Sequence, residues 1–327
     1  MKCIFIENIV SGKPSVHTAL GKIESAFEKA GNLENFVLLK TEYPNHATEL
    51  ANEVCEKYGE DAVIFVCGGD GTFSEVIQAV VGKSTPVALI PMGTGNDFAR
   101  KIYGEDYKIT DILNGFGLLQ GKPNFELFKT DCLKVNGNYC VNVMSLGFDT
   151  KVVKIANKIS KLLPFLGSLS YKLAIVFALF GKINSKIRVS VENNGELYEM
   201  EREYTLSAFC NGSYYGGGYT PAKNSLINDG VIDICIAGPV SVLQIAKLAG
   251  EYAKGEAELR YPEIVKMYQA TSGVITPIGE DYIEGNCDGN PFKVERVEFS
   301  ILPEALSLAC YSNPALEKAL QKKEVTV

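Results

Sequence analysis

Two glycine-rich segments, each just after a short apolar run, have the residue types of a phosphate-binding site. The first is Gly68-Gly69-Asp70-Gly71-Thr72, after the apolar residues 62–67. The second is Gly93-Thr94-Gly95-Asn96-Asp97, shortly after the apolar residues 86–90. Glycine lets backbone N–H groups approach a phosphate closely, and the start of a helix adds favourable partial charge. Two such loops, each with an Asp, predict a nucleotide site that also holds a metal.

The elements that must position these loops alternate along the first third of the chain. The apolar pattern predicts strands at 2–7, 36–40, 62–67 and 86–90, and helices at 15–30, 46–58, 73–81 and 97–102. Such alternation indicates a parallel sheet with helices on both faces. Ligands of these sheets bind beyond the carboxyl ends of the strands, where both glycine loops, residues 8–13 and Thr41 fall.

From about residue 125 the pattern changes to short strands separated by turns. Strands are predicted at 130–135, 139–145, 186–192, 196–210, 231–237, 271–276, 281–287 and 292–302. Helical stretches are predicted near 149–181 and 239–255, and the pattern at 313–324 allows a closing helix. This part of the chain is therefore predicted to be mainly an antiparallel β-sandwich.

Composition excludes several classes of function. The net charge of −7, with no basic run at either end, disfavours nucleic-acid binding. His17 and His46 are the only histidines, which excludes a Ser-His-Asp triad and a histidine-rich zinc site. Nine cysteines without a C-x-x-C pair, and no signal peptide, predict a reduced, cytoplasmic protein. Carboxylates, backbone amides and a hard metal must then perform the chemistry.

Residues 162–180 are apolar enough to raise the question of a membrane. Pro164 and Lys172 interrupt the stretch, so it does not predict a spanning helix. Just before it, four lysines recur at helical spacing on one face: Lys151, Lys154, Lys158 and Lys161. A solvated helix face is the favoured interpretation, and a peripheral contact with an anionic membrane is the alternative.

The glycine loops also carry a family resemblance. Residues 68–72 resemble the nucleotide loop of diacylglycerol, sphingosine and NAD kinases and of 6-phosphofructokinases. Residues 91–100, PMGTGNDFAR, resemble the narrower diacylglycerol kinase catalytic-domain family, bacterial lipid kinases included. The resemblance implies ATP and Mg²⁺ as cofactors. It also implies an α/β domain at 1–124, completed by about 306–327, and a β-sandwich lipid domain at 125–305.

The resemblance assigns nucleotide-binding residues one by one. It places Asp70 beside the phosphates, in a network of water and Mg²⁺. The other matched positions are Asn8, Ser11, Gly12, Lys13, Thr41, Gly68, Gly69, Gly71, Thr72, Gly93, Thr94, Gly95 and Asn96. Ile9 stands where the family has Pro, a change that removes no donor. The sequence leaves open whether Arg100 pairs with a phosphate or with Asp97.

The resemblance also implies metal ligands. Asp97 and Asp131 match acidic positions of the network around Mg²⁺, and Asp229 with the Val231 carbonyl matches a structural Mg²⁺ site. Gly147-Phe148-Asp149 matches a further family turn. For Asp149 and Asp233, however, roles in a turn and at a strand end are equally good interpretations.

One motif departs from the family. Where the family has Asp-Gly-Glu, this chain has Asp288-Gly289-Asn290. The family's acidic residues take, or help to take, the proton of the acceptor hydroxyl, and Asn accepts no proton at neutral pH. Retained activity with Asp288 as the base is the favoured interpretation, because phosphoryl transfer depends mainly on positioning and charge.

The expected function is therefore an ATP- and Mg²⁺-dependent lipid kinase that acts on a lipid such as diacylglycerol at the membrane surface. Two alternatives stay open. One is a pseudokinase that senses a lipid or nucleotide, which Asn290 motivates. The other is a kinase of a soluble metabolite related to NAD kinase. The sequence also leaves a homodimer open.

Overall fold

A computed structural model describes residues 1–9, 14–163, 166, 169–193 and 195–320 of this chain. The chain forms two units. Unit 1 consists of Met1–Cys132, Ile227–Asp229 and the segment that begins at Pro303. Unit 2 consists of Leu133–Leu226 and Gly230–Leu302.

The described residues form sixteen strands and ten α-helices. The strands are β1 (Lys2–Glu7), β2 (Phe36–Lys40), β3 (Ala62–Gly68), β4 (Val87–Pro91), β5 (Glu126–Val135), β6 (Asn138–Cys140), β7 (Val143–Gly147), β8 (Ser185–Asn193), β9 (Glu196–Tyr204), β10 (Leu206–Cys210), β11 (Ile232–Ala237), β12 (Val265–Ala270), β13 (Ser272–Pro277), β14 (Ile283–Cys287), β15 (Asn290–Val294) and β16 (Val297–Cys310). The helices are α1 (Pro14–Lys29), α2 (His46–Tyr58), α3 (Asp70–Val80), α4 (Asp97–Tyr103), α5 (Ile109–Gly115), α6 (Phe148–Leu162), α7 (Leu169–Ala178), α8 (Val242–Ala253), α9 (Ala257–Arg260) and α10 (Pro314–Ala319).

Unit 1 is built on a parallel sheet in the order β2-β1-β3-β4, and the end of β16 pairs parallel with β4. Every residue of β3 and β4 is buried, which is typical of strands covered by helices on both faces. Aromatic packing joins the central strands, because the rings of Phe5 in β1 and Phe65 in β3 stack with centroids 5.0 Å apart.

Unit 2 contains two antiparallel sheets. One has the order β12-β11-β10-β7-β14-β15, and the other pairs β9, β8, β13 and the first part of β16. Apolar side chains of both sheets, among them Leu146, Val189, Phe209 and Phe299, form one core. The predicted fold class, an α/β domain and a mainly antiparallel β-sandwich, is therefore confirmed.

Several predicted elements differ from the structure. The single strand predicted at 139–145 is wrong, because the chain leaves the strand at Val141-Asn142 and forms β6 and β7. The predictions at 149–181, 196–210 and 292–302 each cover two elements, and no prediction covers α5, α9 or β12. Helix α3 begins three residues earlier than predicted, at Asp70. Residues 321–324 of the predicted closing helix lie outside the described residues.

All nine cysteines are free thiols. Among the helices of the described ranges, none has both the length and the apolar character needed to cross a bilayer.

Candidate functional site

The carboxyl ends of the first four strands meet at one edge of the unit 1 sheet. Asn8 follows β1, Thr41 follows β2, Gly68 ends β3, and Gly93 comes shortly after β4. The chain connections reverse direction between β1 and β3, which is where open α/β sheets bind ligands. At that point Asn8 Nδ2 donates to Thr72 Oγ1 over 2.9 Å.

The Asp70 carboxylate ties the two glycine loops together. Its Oδ2 accepts the N–H of Asn96 over 2.6 Å, and its Oδ1 accepts the N–H of Asp97 over 2.8 Å. Asp70 thus caps the start of α4, in the second loop, although it belongs to the first turn of α3. Burial raises the pKa of Asp70, and the amide donors offset only part of that effect.

The two loops also touch along their backbones. A Cβ placed on Gly93 would lie 2.5 Å from the Cα of Gly69, closer than side-chain carbons approach. Glycine is therefore required where the loops meet. The two loops contact each other there through backbone atoms and not through side chains. A Cβ on Gly95 would lie 2.7 Å from Asp70 Oδ2, so the same restriction extends past Thr94.

Asn96 shapes the second loop from within. Its φ of 53° is left-handed, its Oδ1 accepts the Gly93 N–H over 3.0 Å, and its Nδ2 donates to the Gly93 carbonyl over 2.8 Å. The same Nδ2 donates to the Tyr107 hydroxyl over 3.0 Å. No sequence signal predicts the contact of Tyr107 with this loop, because a tyrosine beyond α4 belongs to no recognisable motif.

The acidic residues predicted to hold metal do not form one cluster. Arg100 Nε lies 3.7 Å from Asp97 Oδ1, so Arg100 does face Asp97. Asp131 Oδ1 accepts the N–H of Glu304 over 2.8 Å. Asp229 belongs to unit 1 and Val231 to unit 2. Within the described ranges no three His, Cys, Asp or Glu side chains converge as a metal site.

The metal assignments therefore stay predictions. Ser11, Gly12 and Lys13 of the predicted nucleotide site lie outside the described residues.

In unit 2, the Asp288 carboxylate holds the segment between β6 and β7. Oδ2 accepts the N–H of Val141 over 2.8 Å, and Oδ1 accepts those of Asn142 and Val143 over 3.1 and 3.0 Å. The Cys140 thiol donates to Oδ1 over 3.2 Å. Burial raises the pKa of Asp288, and these donors counteract part of the rise.

The backbone at Asp288 has a local explanation. Asp288 and Gly289 are the two turn residues between β14 and β15, with φ of 48° and 84°. Asp-Gly is a favoured pair for tight hairpins with positive φ at both positions. Asn290 is exposed and begins β15. The structure thus gives Asp288 a clear architectural role, and its role as a base stays a prediction.

Unit 2 also contains a partly open apolar cavity of about 80 Å³. Its walls come from α6, α7, β10 and α8, and they include Phe148, Val152, Ile175, Leu206, Ile245 and Leu248. Tyr215, Tyr219 and Tyr252 complete the lining, and the hydroxyls of Tyr215 and Tyr252 are 3.2 Å apart. Sequence analysis did not find this cavity, because its lining is drawn from distant segments.

Asp149 is the one acidic residue in this lining, and only 6% of it is exposed. Among the residues described, none forms a well-aligned hydrogen bond with either carboxylate oxygen. Burial raises the pKa of Asp149 from 3.8 to about 6, and the nearby Tyr215 and Ser145 hydroxyls offset only part of that. Burial of a charged carboxylate costs stability, and such a group in a cavity wall is a candidate for binding a ligand.

Comparison with known proteins agrees with this fold. The diacylglycerol kinase catalytic domain matches residues 2–117, and the YegS C-terminal NAD kinase beta sandwich-like domain matches residues 142–310. The diacylglycerol kinase of Bacillus subtilis is 30% identical over 262 residues, which cover 77% of this chain and 78% of that protein. The chain belongs to the diacylglycerol kinase family.

Family membership makes this chain a phosphotransferase and confirms the resemblance carried by residues 68–72 and 91–100. A "Probable lipid kinase YegS-like" of Shewanella frigidimarina is 25% identical over 80% of this chain and 81% of that protein. A diacylglycerol kinase structure from Bacillus anthracis matches with a TM-score of 0.68 at 22% identity, covering 96% of this chain and 98% of that one. Yeast NADH kinase matches with a TM-score of 0.51 at 12% identity, covering 96% and 84%.

The contact between the glycine loops predicts that Gly93→Ala destabilises unit 1. The added Cβ forces the loop backbones apart, and we expect a loss of about 1–3 kcal/mol in the free energy of unfolding. Urea unfolding followed by circular dichroism measures this loss. Gly71→Ala is the matched control, because a Cβ there meets no atom within 4 Å. A loss for Gly71→Ala as large as that for Gly93→Ala would contradict the prediction.

The amide bonds to Asp288 predict that Asp288→Asn destabilises unit 2. An NH₂ group replaces one acceptor oxygen and faces N–H donors, so we expect a loss of about 2–4 kcal/mol. The same urea measurement applies, with the exposed Asp281→Asn as the control, which should stay within about 0.5 kcal/mol of the wild type. An unchanged Asp288→Asn variant would show that the amide bonds contribute little.

The raised pKa of Asp149 predicts a pH-dependent stability. Below pH 3.8 the carboxyl is neutral in both the folded and the unfolded chain. Between pH 3.8 and about 6 the unfolded chain has lost this proton while the folded chain keeps it, so the free energy of unfolding falls as the pH rises through about 6. We expect Asp149→Asn to match the wild type near pH 4 and to exceed its stability above pH 6 by about 3 kcal/mol. Unfolding at both pH values checks this, with the exposed Asp106→Asn as control. A constant difference between Asp149→Asn and the wild type would exclude the titration.

Proposed function

We propose that this chain is an ATP- and Mg²⁺-dependent lipid kinase that transfers the γ-phosphoryl group of ATP to a lipid hydroxyl. The apolar cavity of unit 2, with the Asp149 carboxylate in its wall, carries the lipid part of the proposal. The names of two relatives support it, since one is a diacylglycerol kinase and the other a probable lipid kinase. Diacylglycerol is the first acceptor to test.

The residues of unit 1 fit the phosphate groups of a nucleotide. At Gly69 and Gly93 the loops meet as bare backbone, so close that a Cβ on Gly93 would lie 2.5 Å from the Gly69 Cα. Backbone amides at helix starts favour bound anions. Asp70 and Asp97 supply carboxylates that suit a hard cation, and a bound Mg²⁺ would offset negative charge on the phosphate oxygens.

The cavity of unit 2 fits part of an acyl chain and one polar group. A volume of about 80 Å³ holds a few methylene groups among apolar side chains. The Asp149 carboxylate is placed to accept a hydrogen bond from a hydroxyl of the bound lipid. Such a bond would add a donor to the Tyr215 and Ser145 hydroxyls, which only partly offset the burial of this carboxylate.

The transfer step needs an acceptor for one proton. A bond forms between the lipid oxygen and the γ-phosphorus, the bond from that phosphorus to ADP breaks, and the hydroxyl proton leaves. Asp288 is the proposed acceptor, although both of its oxygens already accept backbone N–H groups. Restoring the family's Glu at position 290 tests whether a second carboxylate assists.

A transfer assay with radiolabelled ATP, Mg²⁺ and lipids in mixed micelles tests the proposal. The panel contains diacylglycerol, ceramide, sphingosine and a long-chain polyprenol. We expect one lipid class to be phosphorylated. Because Asp149→Asn replaces a charged acceptor with a neutral one, its kcat/KM for the lipid should fall about 10- to 100-fold, with the KM for ATP unchanged. The exposed Asp106→Asn is the matched control.

Each remaining outcome decides between the alternatives. Product from Asn290→Glu alone would mean that the natural chain has lost its base and is a pseudokinase. No product from either chain would remove the lipid kinase proposal. An Asp149→Asn variant with the wild-type kcat/KM for the lipid would contradict the assignment of the lipid to the cavity.

A further inference from the structure

Helix α7 has an apolar side that faces outward. The exposed residues on this side, here called the α7 face, are Leu169, Leu173, Val176, Phe177 and Phe180, the last just beyond the helix end. Their spacing places them on one side of a helix. The opposite side is covered, because Ala174 and Ala178 are buried against α6.

This exposure is concentrated rather than scattered. Seven of the large apolar side chains that are exposed in the described ranges fall between Leu162 and Phe180. Phe177 is 56% exposed and Phe180 is 74% exposed. Single exposed apolar residues are ordinary, but a contiguous group of them indicates a surface that binds something.

The charge around the α7 face is positive in an acidic protein. Residues 148–182 contain six lysines and a single acidic residue, the buried Asp149, whereas the whole chain has a net charge of −7. Lys151 Nζ donates to the carbonyls of Ala178 and Phe180 over 2.8 and 2.6 Å, which fixes a positive charge at the end of α7. Lys158 is exposed on α6, while Lys154 pairs with Glu284 over 2.8 Å and Lys182 pairs with Glu280. Lys151 and Lys158 therefore supply the positive charge that no acidic side chain pairs with among these described lysines.

The cavity lies on the other side of the same helix. Ile175 of α7 lines the cavity with Asp149, and the next residue, Val176, belongs to the α7 face. The wall between cavity and exterior is therefore one helix thick at this place, and it is apolar on both sides. A lipid leaving a bilayer at this place would pass the apolar side chains of Val176 and Ile175.

We propose that the α7 face docks onto an anionic lipid bilayer, with α7 lying flat in the interfacial layer. Its ten residues extend about 15 Å, roughly half of the hydrocarbon thickness, so it rests on the membrane rather than crossing it. A second copy of the chain fits this face poorly, because a symmetric contact would bring two lysine-rich segments together. The proposal rests on the proposed lipid kinase function for its purpose, but its test needs no catalysis.

Vesicle co-sedimentation of the full chain tests the docking surface. The vesicles are phosphatidylcholine alone, or phosphatidylcholine and phosphatidylglycerol in equal parts. We expect binding to the anionic vesicles that weakens with salt, and a loss of about tenfold or more in affinity for Val176→Glu/Phe177→Glu. Phe180→Glu should weaken binding too, and as it lies beyond the helix it leaves α7 intact. Leu197→Glu, at a 72% exposed position on β9, is the matched control.

Three outcomes would overturn the docking proposal. Wild-type chain that stays in the supernatant with both vesicles removes it, as does equal binding by the wild type and the α7-face variants. A wild-type dimer that the α7-face variants convert to a monomer, with vesicle binding unchanged, would assign the face to a second copy. Vesicle binding without kinase activity would leave the docking intact and remove the lipid kinase proposal instead.

Discussion

One partly buried carboxylate, that of Asp70, organises the nucleotide half of this chain. Asp70 belongs to the turn after β3, yet both of its oxygens accept amides at the start of α4, after the next strand. A buried carboxylate is costly unless such donors surround it, so the two loops must stay together for the site to be stable. Glycine at positions 69 and 93 follows from the same constraint, because the loops then approach within backbone contact.

The elements of the fold that could be predicted are those whose signal is local. Strands β3 and β4 are continuous apolar runs because helices cover both of their faces. The predicted β3 ends one residue too early, and the predicted β4 begins and ends one residue too early. The single strand predicted at 139–145 is wrong because the residue that interrupts it lies far away in the sequence. Val141 and Asn142 turn away from a strand to bond Asp288, more than 140 positions later.

The candidate site likewise contains residues with a local sequence signal and residues that only folding brings together. The glycine loops were found because a close backbone approach demands glycine at fixed positions in a short segment. The Asp-Gly pair at 288–289 was interpreted through its family motif alone, although positive φ at both positions also makes it a hairpin turn. The cavity could not be predicted, because Phe148, Ile175, Leu206 and Tyr252 meet only through tertiary packing. The sequence around Asp149 indicates a turn, and only the folded chain surrounds this residue with apolar side chains.

The carboxylates of Asp288 and Asp149 in unit 2 differ in burial and in their hydrogen-bond donors. Asp288 is partly buried and accepts three backbone N–H groups, which offset part of the cost of its burial. Asp149 lies at the start of α6, where backbone amides and the Tyr215 and Ser145 hydroxyls lower its pKa, yet burial raises that pKa to about 6. Keeping this group charged therefore costs the fold stability. In the proposed function a lipid hydroxyl would donate to the carboxylate, and the mainly apolar lining would hold part of an acyl chain.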